Sequence, residues 1–160
     1  MILGLCVALV ALLVDQISKW YVQGYFENVH SPQAFGSFFN LVEAWNTGVS
    51  FSMFNNGGML GIIILSAFAL GVVIFLLFWL KKETDKVVQV SLGLVIGGAL
   101  GNVIDRIRFG AVYDFLDFYY NDYHWPAFNM ADSFICVGAF VIVLMGMLNS
   151  RINQKKEGAK

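Results

Sequence analysis

Four long apolar runs, separated by polar segments of very different length, dominate the pattern of the chain. Residues 1 to 14 are apolar apart from Gly4, and after Asp15-Gln16 and Ser18-Lys19 the apolar character resumes at Ile17, Trp20, Tyr21 and Val22. A first membrane span over about 1–22 is predicted. No basic residues precede this run and no small-x-small site follows before its polar residues, which disfavours a cleaved signal peptide. Residues 59–80 carry no charge and form the clearest second span. Residues 87–104 form a third, with Gly93, Gly97 and Gly101 at the small-xxx-small spacing that lets helices approach closely. Close helix packing is the reading preferred for Gly93. A fourth run, about 132–149, opens after Asn129 and Asp132 and closes on Asn149-Ser150-Arg151.

Composition agrees with this pattern. The 160 residues are 58% hydrophobic and 13% charged, with a mean hydropathy of +0.69. Soluble domains are about a quarter charged, so large soluble domains are excluded. One span needs roughly 20 apolar residues, so the length admits no more than four. The expected fold is therefore an α-helical membrane protein of four transmembrane helices, organised as one integral membrane domain over residues 1–160. A net charge of −1 offers no basic field for nucleic acid.

The position of the charges orients the chain. Lys81, Lys82 and Lys86 lie in the short segment 81–86, and Arg151, Lys155, Lys156 and Lys160 in the tail 150–160. By the positive-inside rule both are cytoplasmic, which puts both termini inside and the segments 23–58 and 105–131 outside.

The outer segments carry the chemistry. In the first, Leu41–Trp45 and Val49–Met53 have strand-like composition and flank Asn46-Thr47-Gly48, which predicts a small antiparallel ribbon. The second interleaves Asp105, Asp114, Asp117, Asp122 and Asp132 with many aromatic rings. The rings suit an interfacial belt. The acids need another account, because ionisable groups at a membrane usually serve function or pair with one another. An N-cap of the fourth span is the structural alternative for Asp132, an ion pair with Arg106 or Arg108 for Asp105, and solvation for Asp117 and Asp122. Two carboxylates brought together in a dry site cannot both ionise cheaply, so one keeps a proton and the pair can activate water as acid and base.

Other chemistries lack their residues. There is no HExxH, His30 and His124 stand apart, and Cys6 and Cys136 have no metal spacing, so no metal and no cofactor is expected; both cysteines read as buried free thiols. Gly48–Ser52 lacks the closing glycine of a nucleophile elbow, and no phosphate-binding or dinucleotide fingerprint is present.

Five separated blocks together resemble the bacterial lipoprotein signal peptidases, the signal peptidase II family. They are Asp15–Lys19, Asn46–Phe51, Gly97–Arg106, Val112–Phe115 and Phe128–Ser133. The resemblance implies a four-span aspartic endopeptidase of the bacterial plasma membrane, with its active site toward the extracytoplasmic face. It also selects the dyad among the five acids: Asp114 and Asp132. The supporting and substrate-binding residues it implies are Asn46, Gly98, Asn102, Arg106, Asn129, Ala131 and Asp15; Lys19 matches as well, without a clear role. Asn102 and Arg106 are four apart and Asn129 and Asp132 three apart, so each pair can share a helix face. Gly98 would permit close approach of a substrate helix or a neighbouring span. The apolar run starts at once, without the short basic leader expected of the family.

The implied partners are prolipoproteins bearing diacylglycerol on a cysteine, cleaved just before that cysteine, together with membrane lipid; a monomer is expected. The aromatic outer loops are expected to clamp substrate and lipid by moving. The alternative from another class is a small four-span proton-coupled transporter using membrane acids, although spans two and three are acid-free as predicted. A non-catalytic membrane chaperone is a third.

Overall fold

The computed structural model describes residues 1–48 and 58–157. The four apolar runs form four helices: α1 Ile2–Phe26, α2 Gly58–Lys82, α3 Lys86–Phe109 and α4 Met130–Glu157. All four are long and apolar enough to cross a membrane. At 1.5 Å per residue a helix of 25 residues is about 37 Å long, which exceeds a hydrocarbon core of roughly 30 Å. Each helix therefore runs past the limits set by apolar residues alone, and Asp15, Lys19, Asn102, Asp105 and Arg106 are helical.

Helix ends follow local chemistry. Asp85 caps α3, its carboxylate accepting from the amides of Val87 and Val88 at 2.7 and 3.2 Å. Gly110 ends α3 at φ +75°, a left-handed conformation that costs glycine nothing, and returns its N–H to the Arg106 carbonyl. Lys81 and Lys82 occupy the last turn of α2, Arg106 and Arg108 that of α3, where cations complement the helix dipole.

α3 is the central helix and packs against the other three. Its glycines make this possible. A Cβ on Gly93 or Gly97 would strike the backbone of α1 at Gly4 and Ala8, as the packing reading of Gly93 requires. One apolar core joins α1, α2 and α3 through Ala8, Val73, Leu76, Leu80, Leu92 and Ile96. The remaining helix surfaces are apolar and face outward, where a membrane would lie. Cys6 and Cys136 sit there as free thiols, exposed rather than buried. Most of α1, α2 and α4 faces outward, so an apolar residue on them need not be interior.

The outer segments build a four-stranded antiparallel sheet in the order β1-β2-β3-β4, from β1 Gln33–Ala34, β2 Phe39–Asn46, β3 Val112–Tyr120 and β4 Tyr123–His124. The first half of the predicted ribbon is β2, and its described partners are β1 and β3. The second half, Val49–Met53, lies outside the described residues. The segment 105–131 is correspondingly more ordered than a loop: it completes α3 and supplies β3 and β4. The start of β3 packs on the C-terminal end of α1, where Tyr113 and Phe115 meet Val22 and Phe26.

Candidate active site

Three elements converge where β3 leaves the end of α3 and α4 begins. β3 carries Asp114, almost fully buried. A register shift in β2 between Leu41 and Ala44 sets Ala44 opposite Asp114 and Asn46 opposite Val112. Asn46 thereby lies diagonally across from the acid, and its Nδ2 donates to Asp114 Oδ2 at 3.0 Å.

α4 begins with a reciprocal cap. Asn129 Oδ1 accepts from the Asp132 amide at 3.0 Å, and Asp132 Oδ2 accepts from the Asn129 amide at 3.3 Å. The N-cap is thus Asn129, not Asp132. Asp132 occupies the third position of the first turn, which leaves its other oxygen free for Asn102, whose Nδ2 donates to it at 2.8 Å.

Asn129 is fully buried and joins the two acids. Its Nδ2 donates to Asp114 Oδ1 at 2.6 Å, while its Oδ1 and its backbone N–H engage Asp132. The same Nδ2 stands 3.2 Å from Asn102 Oδ1. Asp114 and Asp132 therefore hang on one continuous amide network. Burial pushes the Asp114 carboxyl up to about 6, with the nearby negative charge of Asp132 adding to the rise and the hydrogen bonds from Asn46 and Asn129 opposing it. Buried beside them, the Tyr113 hydroxyl is raised above its ordinary value, first by burial and then by the charge of Glu43.

The other implied residues surround this pair. Arg106 lies one helical turn beyond Asn102, donates to the Asn102 carbonyl at 3.4 Å, and sits within electrostatic reach of Asp132, Asp105 and Asp114. A Cβ on Gly98 would come 2.5 Å from the Ala131 carbonyl, so the close approach expected there is made by the neighbouring span α4. Ala131 is fully buried at that contact. Asp15, on α1, accepts from the Ala131 amide at 2.9 Å and so ties the start of α4 to α1.

Two expectations about the acids need correction. Asp105 does not pair with Arg106 or Arg108 at a surface. It is buried, 2.8 Å from Lys19 Nζ, and accepts from Gln16 and from the Tyr113 amide. Asp117 is also buried, held by Asn40 Nδ2 at 2.8 Å and His124 Nδ1 at 2.9 Å, while Asp122 lies exposed in the β3–β4 turn. An interior aspartate is stable when its oxygens are all paired, and these sheet and helix partners supply what solvent or a flanking Arg would have. Lys19 and Gln16 on α1 and Asn40 on β2 are the partners that hold Asp105 and Asp117 inside the protein, together with His124. The sequence marked Lys19 and Gln16 through the block Asp15–Lys19, and gave no sign of Asn40.

Known proteins resemble this chain in sequence and in fold. The family model described as signal peptidase (SPase) II matches residues 7–148. A lipoprotein signal peptidase of Pseudoalteromonas atlantica is 42% identical over 142 residues, 88% of this chain and 86% of that one. Those of Polynucleobacter necessarius subsp. necessarius and Coxiella burnetii are each 40% identical, over 87% and 90% of this chain and 85% and 89% of theirs. Two solved structures described as bacterial membrane enzymes superpose with TM-scores of 0.76 and 0.75 at 25% and 26% identity, covering 92% and 89% of this chain and 88% and 90% of those chains. The four-helix bundle, the outer sheet and the matched family model together show that this chain is a multi-pass membrane protein of the signal peptidase II family, an endopeptidase that removes lipoprotein signal peptides.

Proposed function

We propose that Asp114 and Asp132 are the catalytic pair, and that they activate the water that cleaves a prolipoprotein just before its diacylglyceryl-modified cysteine. The observation that carries this reading is Asn129, whose one side chain donates to Asp114 and accepts from the Asp132 amide. A shared bridge of this kind holds two carboxyls in fixed relation, as proton exchange between them requires.

The environments of the two acids differ. Burial favours a proton on Asp114, and the helix dipole at the start of α4, with the Asn129 amide donating to the carboxylate, favours a negative charge at Asp132. Asp132 is then the base that takes a proton from water. Asp114 donates its proton toward the scissile carbonyl, whose oxygen gains charge as water attacks. Collapse of the tetrahedral intermediate breaks the C–N bond: the hydroxyl formed from the carbonyl returns its proton to Asp114, and the proton now on Asp132 passes to the departing amine of the cysteine. Arg106, within electrostatic reach of both acids, stabilises the negative charge of the site.

We further assign the sheet and the dyad to the extracytoplasmic face and both termini to the cytoplasm, on the distribution of Lys and Arg. The exposed rings of Phe38, Tyr120, Tyr123 and Trp125 suit contact with lipid headgroups and the lipid of the substrate.

The test is to incubate purified protein with a prolipoprotein in lipidated and unlipidated form, and to read the products by mass. Cleavage of the lipidated form before the modified cysteine, unaffected by EDTA, is expected. Equal cleavage of both forms would contradict the substrate assignment, and loss under EDTA that added metal restores would contradict a water-activating carboxyl pair acting alone. A proton-coupled transporter would cut neither form, and the family match gives that alternative no support.

A further inference from the structure

The least expected group near the site is an ammonium ion inside the bundle. Lys19 is 3% exposed, on a helix that is otherwise apolar along most of its length. A buried lysine keeps its charge only where opposite charges and acceptors replace its water. Here three acceptors do so: Asp15 Oδ2 at 2.9 Å on α1, Asp105 Oδ2 at 2.8 Å on α3, and Asn102 Oδ1 at 3.1 Å on α3. An ammonium has three N–H groups and no lone pair, so each bond is spoken for. The two carboxylates already more than offset its charge. The third bond, to a neutral amide that reaches the dyad, is not needed for that.

We infer that Lys19 is a positioning residue of the peptidase: its ammonium holds the Asn102 carboxamide in the one orientation that donates a hydrogen bond to Asp132. An asparagine amide is nearly symmetric in shape, and turning it over exchanges donor for acceptor. Turned over, Asn102 would present its NH2 to an ammonium and to the Asn129 NH2, and its oxygen to the Asp132 carboxylate, three unfavourable contacts at once. With Lys19 in place only the donating orientation is stable. Asn129 reinforces the choice by giving a second N–H to the same Asn102 oxygen. The polarity of the network therefore runs from Lys19 through Asn102 to Asp132, and its end is the stabilisation of a negative charge on the group assigned as the base.

The charged groups facing these residues are few. Lys19 meets Asp15 and Asp105; Asp132 has Arg106 from α3 and Asp114 from β3 within electrostatic reach. Apart from Lys19 and Asp132 themselves none of these groups bonds to the Asn102 side chain, so Asp15, Asp105, Arg106 and Asp114 cannot take over from Lys19 in fixing it.

The inference rests on Asp114 and Asp132 being the catalytic pair. Removing Lys19 alone would leave Asp15 and Asp105 with no counter-charge, so the test uses Lys19→Met combined with Asp105→Asn, which keeps the net charge of the cluster. The Asp105→Asn parent, in which the ammonium still reaches Asn102, is the reference. Lys19→Gln with Asp105→Asn keeps a hydrogen-bonding side chain in the pocket and serves where the methionine variant does not fold; its amide can accept as well as donate, so it also releases Asn102.

Folding is checked by thermal unfolding, and kcat and KM are measured across pH on a lipidated prolipoprotein. Loss of a donor to a charged acceptor is expected to lower kcat roughly 10- to 100-fold with KM within about threefold. The acid limb of the kcat/KM profile should move up by about one pH unit, because a carboxylate that loses a donor is protonated more readily. In an Asn102→Ala background the same change should cost little more, since its effect passes through Asn102. A uniform loss at every pH, or losses that multiply in that background, would overturn the inference and make Lys19 a purely structural ion. The dyad reading fails by a separate result, residual cleavage in Asp114→Asn or Asp132→Asn, whatever the Lys19 variants do.

Discussion

Burial of the Asp114 carboxyl has a consequence for stability that pH can expose. Its carboxyl titrates at about 6 in the folded chain against an ordinary value of 3.8. The folded value is the higher, so the unfolded chain loses this proton first as pH rises. Below about pH 4 both states hold the proton and burial of the group costs little; the penalty grows as pH rises toward 6 and is complete above it. Asp114→Asn should therefore leave stability at pH 4 close to that of the parent, and at pH 8 raise it by about 2–3 kcal/mol, the free-energy equivalent of the shift. Thermal unfolding in detergent at the two pH values reads this directly. Destabilisation by Asp114→Asn at pH 8 would mean that the acid serves the fold rather than strains it.

The spacing of elements around α3 decides where the two acids stand. Gly98 lets the start of α4 lie against α3, and an added methyl there would meet the backbone oxygen of Ala131, which cannot turn aside as a side chain can. Gly98→Ala should push Asp132 away from Asn102 and reduce kcat/KM about 100-fold, the scale of a misplacement near 1 Å. Gly71, on α2, has nothing within 4 Å of the same methyl. Gly71→Ala should leave activity intact and add roughly 0.5–1 kcal/mol through helix propensity. Cleavage assays on the pair separate tight packing at the site from a general intolerance of larger residues; equal losses would contradict the role given to Gly98.

The four helices were legible in the sequence because a bilayer demands uninterrupted apolar runs, and no other structure satisfies the backbone so cheaply there. β3 was not. Val112, Tyr113, Asp114 and Phe115 are buried in succession, without the alternation that marks a strand with one wet face. Its strand neighbours are distant in sequence, with Asn40 opposite Asp117 and Asn46 opposite Val112. The same distance hid the ion cluster. Lys19 beside Asp15 is a visible i,i+4 pair, whereas its bond to Asp105 depends on how α1 and α3 pack. The proposed dyad rests on five motifs in order, whereas the bridging position of Asn129 depends on the start of α4 meeting β3.

At the scale of the whole molecule, seven of ten basic residues lie in the 81–86 segment and the tail after residue 150. The positive-inside rule then puts the turn at Asp122 outside and the turn at Glu83 inside. With Cys6 and Cys136 replaced by Ala, Asp122→Cys in intact cells should react with a membrane-impermeant thiol reagent and Glu83→Cys should not. The reverse pattern would invert the proposed topology. The central claim, that Asp114 and Asp132 act as one unit, is tested most directly by measuring cleavage of a lipidated prolipoprotein by Asp114→Asn, Asp132→Asn and the double variant. Each single change should lower kcat by about 1,000-fold or more, and the double should be scarcely worse than either, as for residues that work together. Substantial cleavage by either single variant, or losses that multiply in the double, would contradict it.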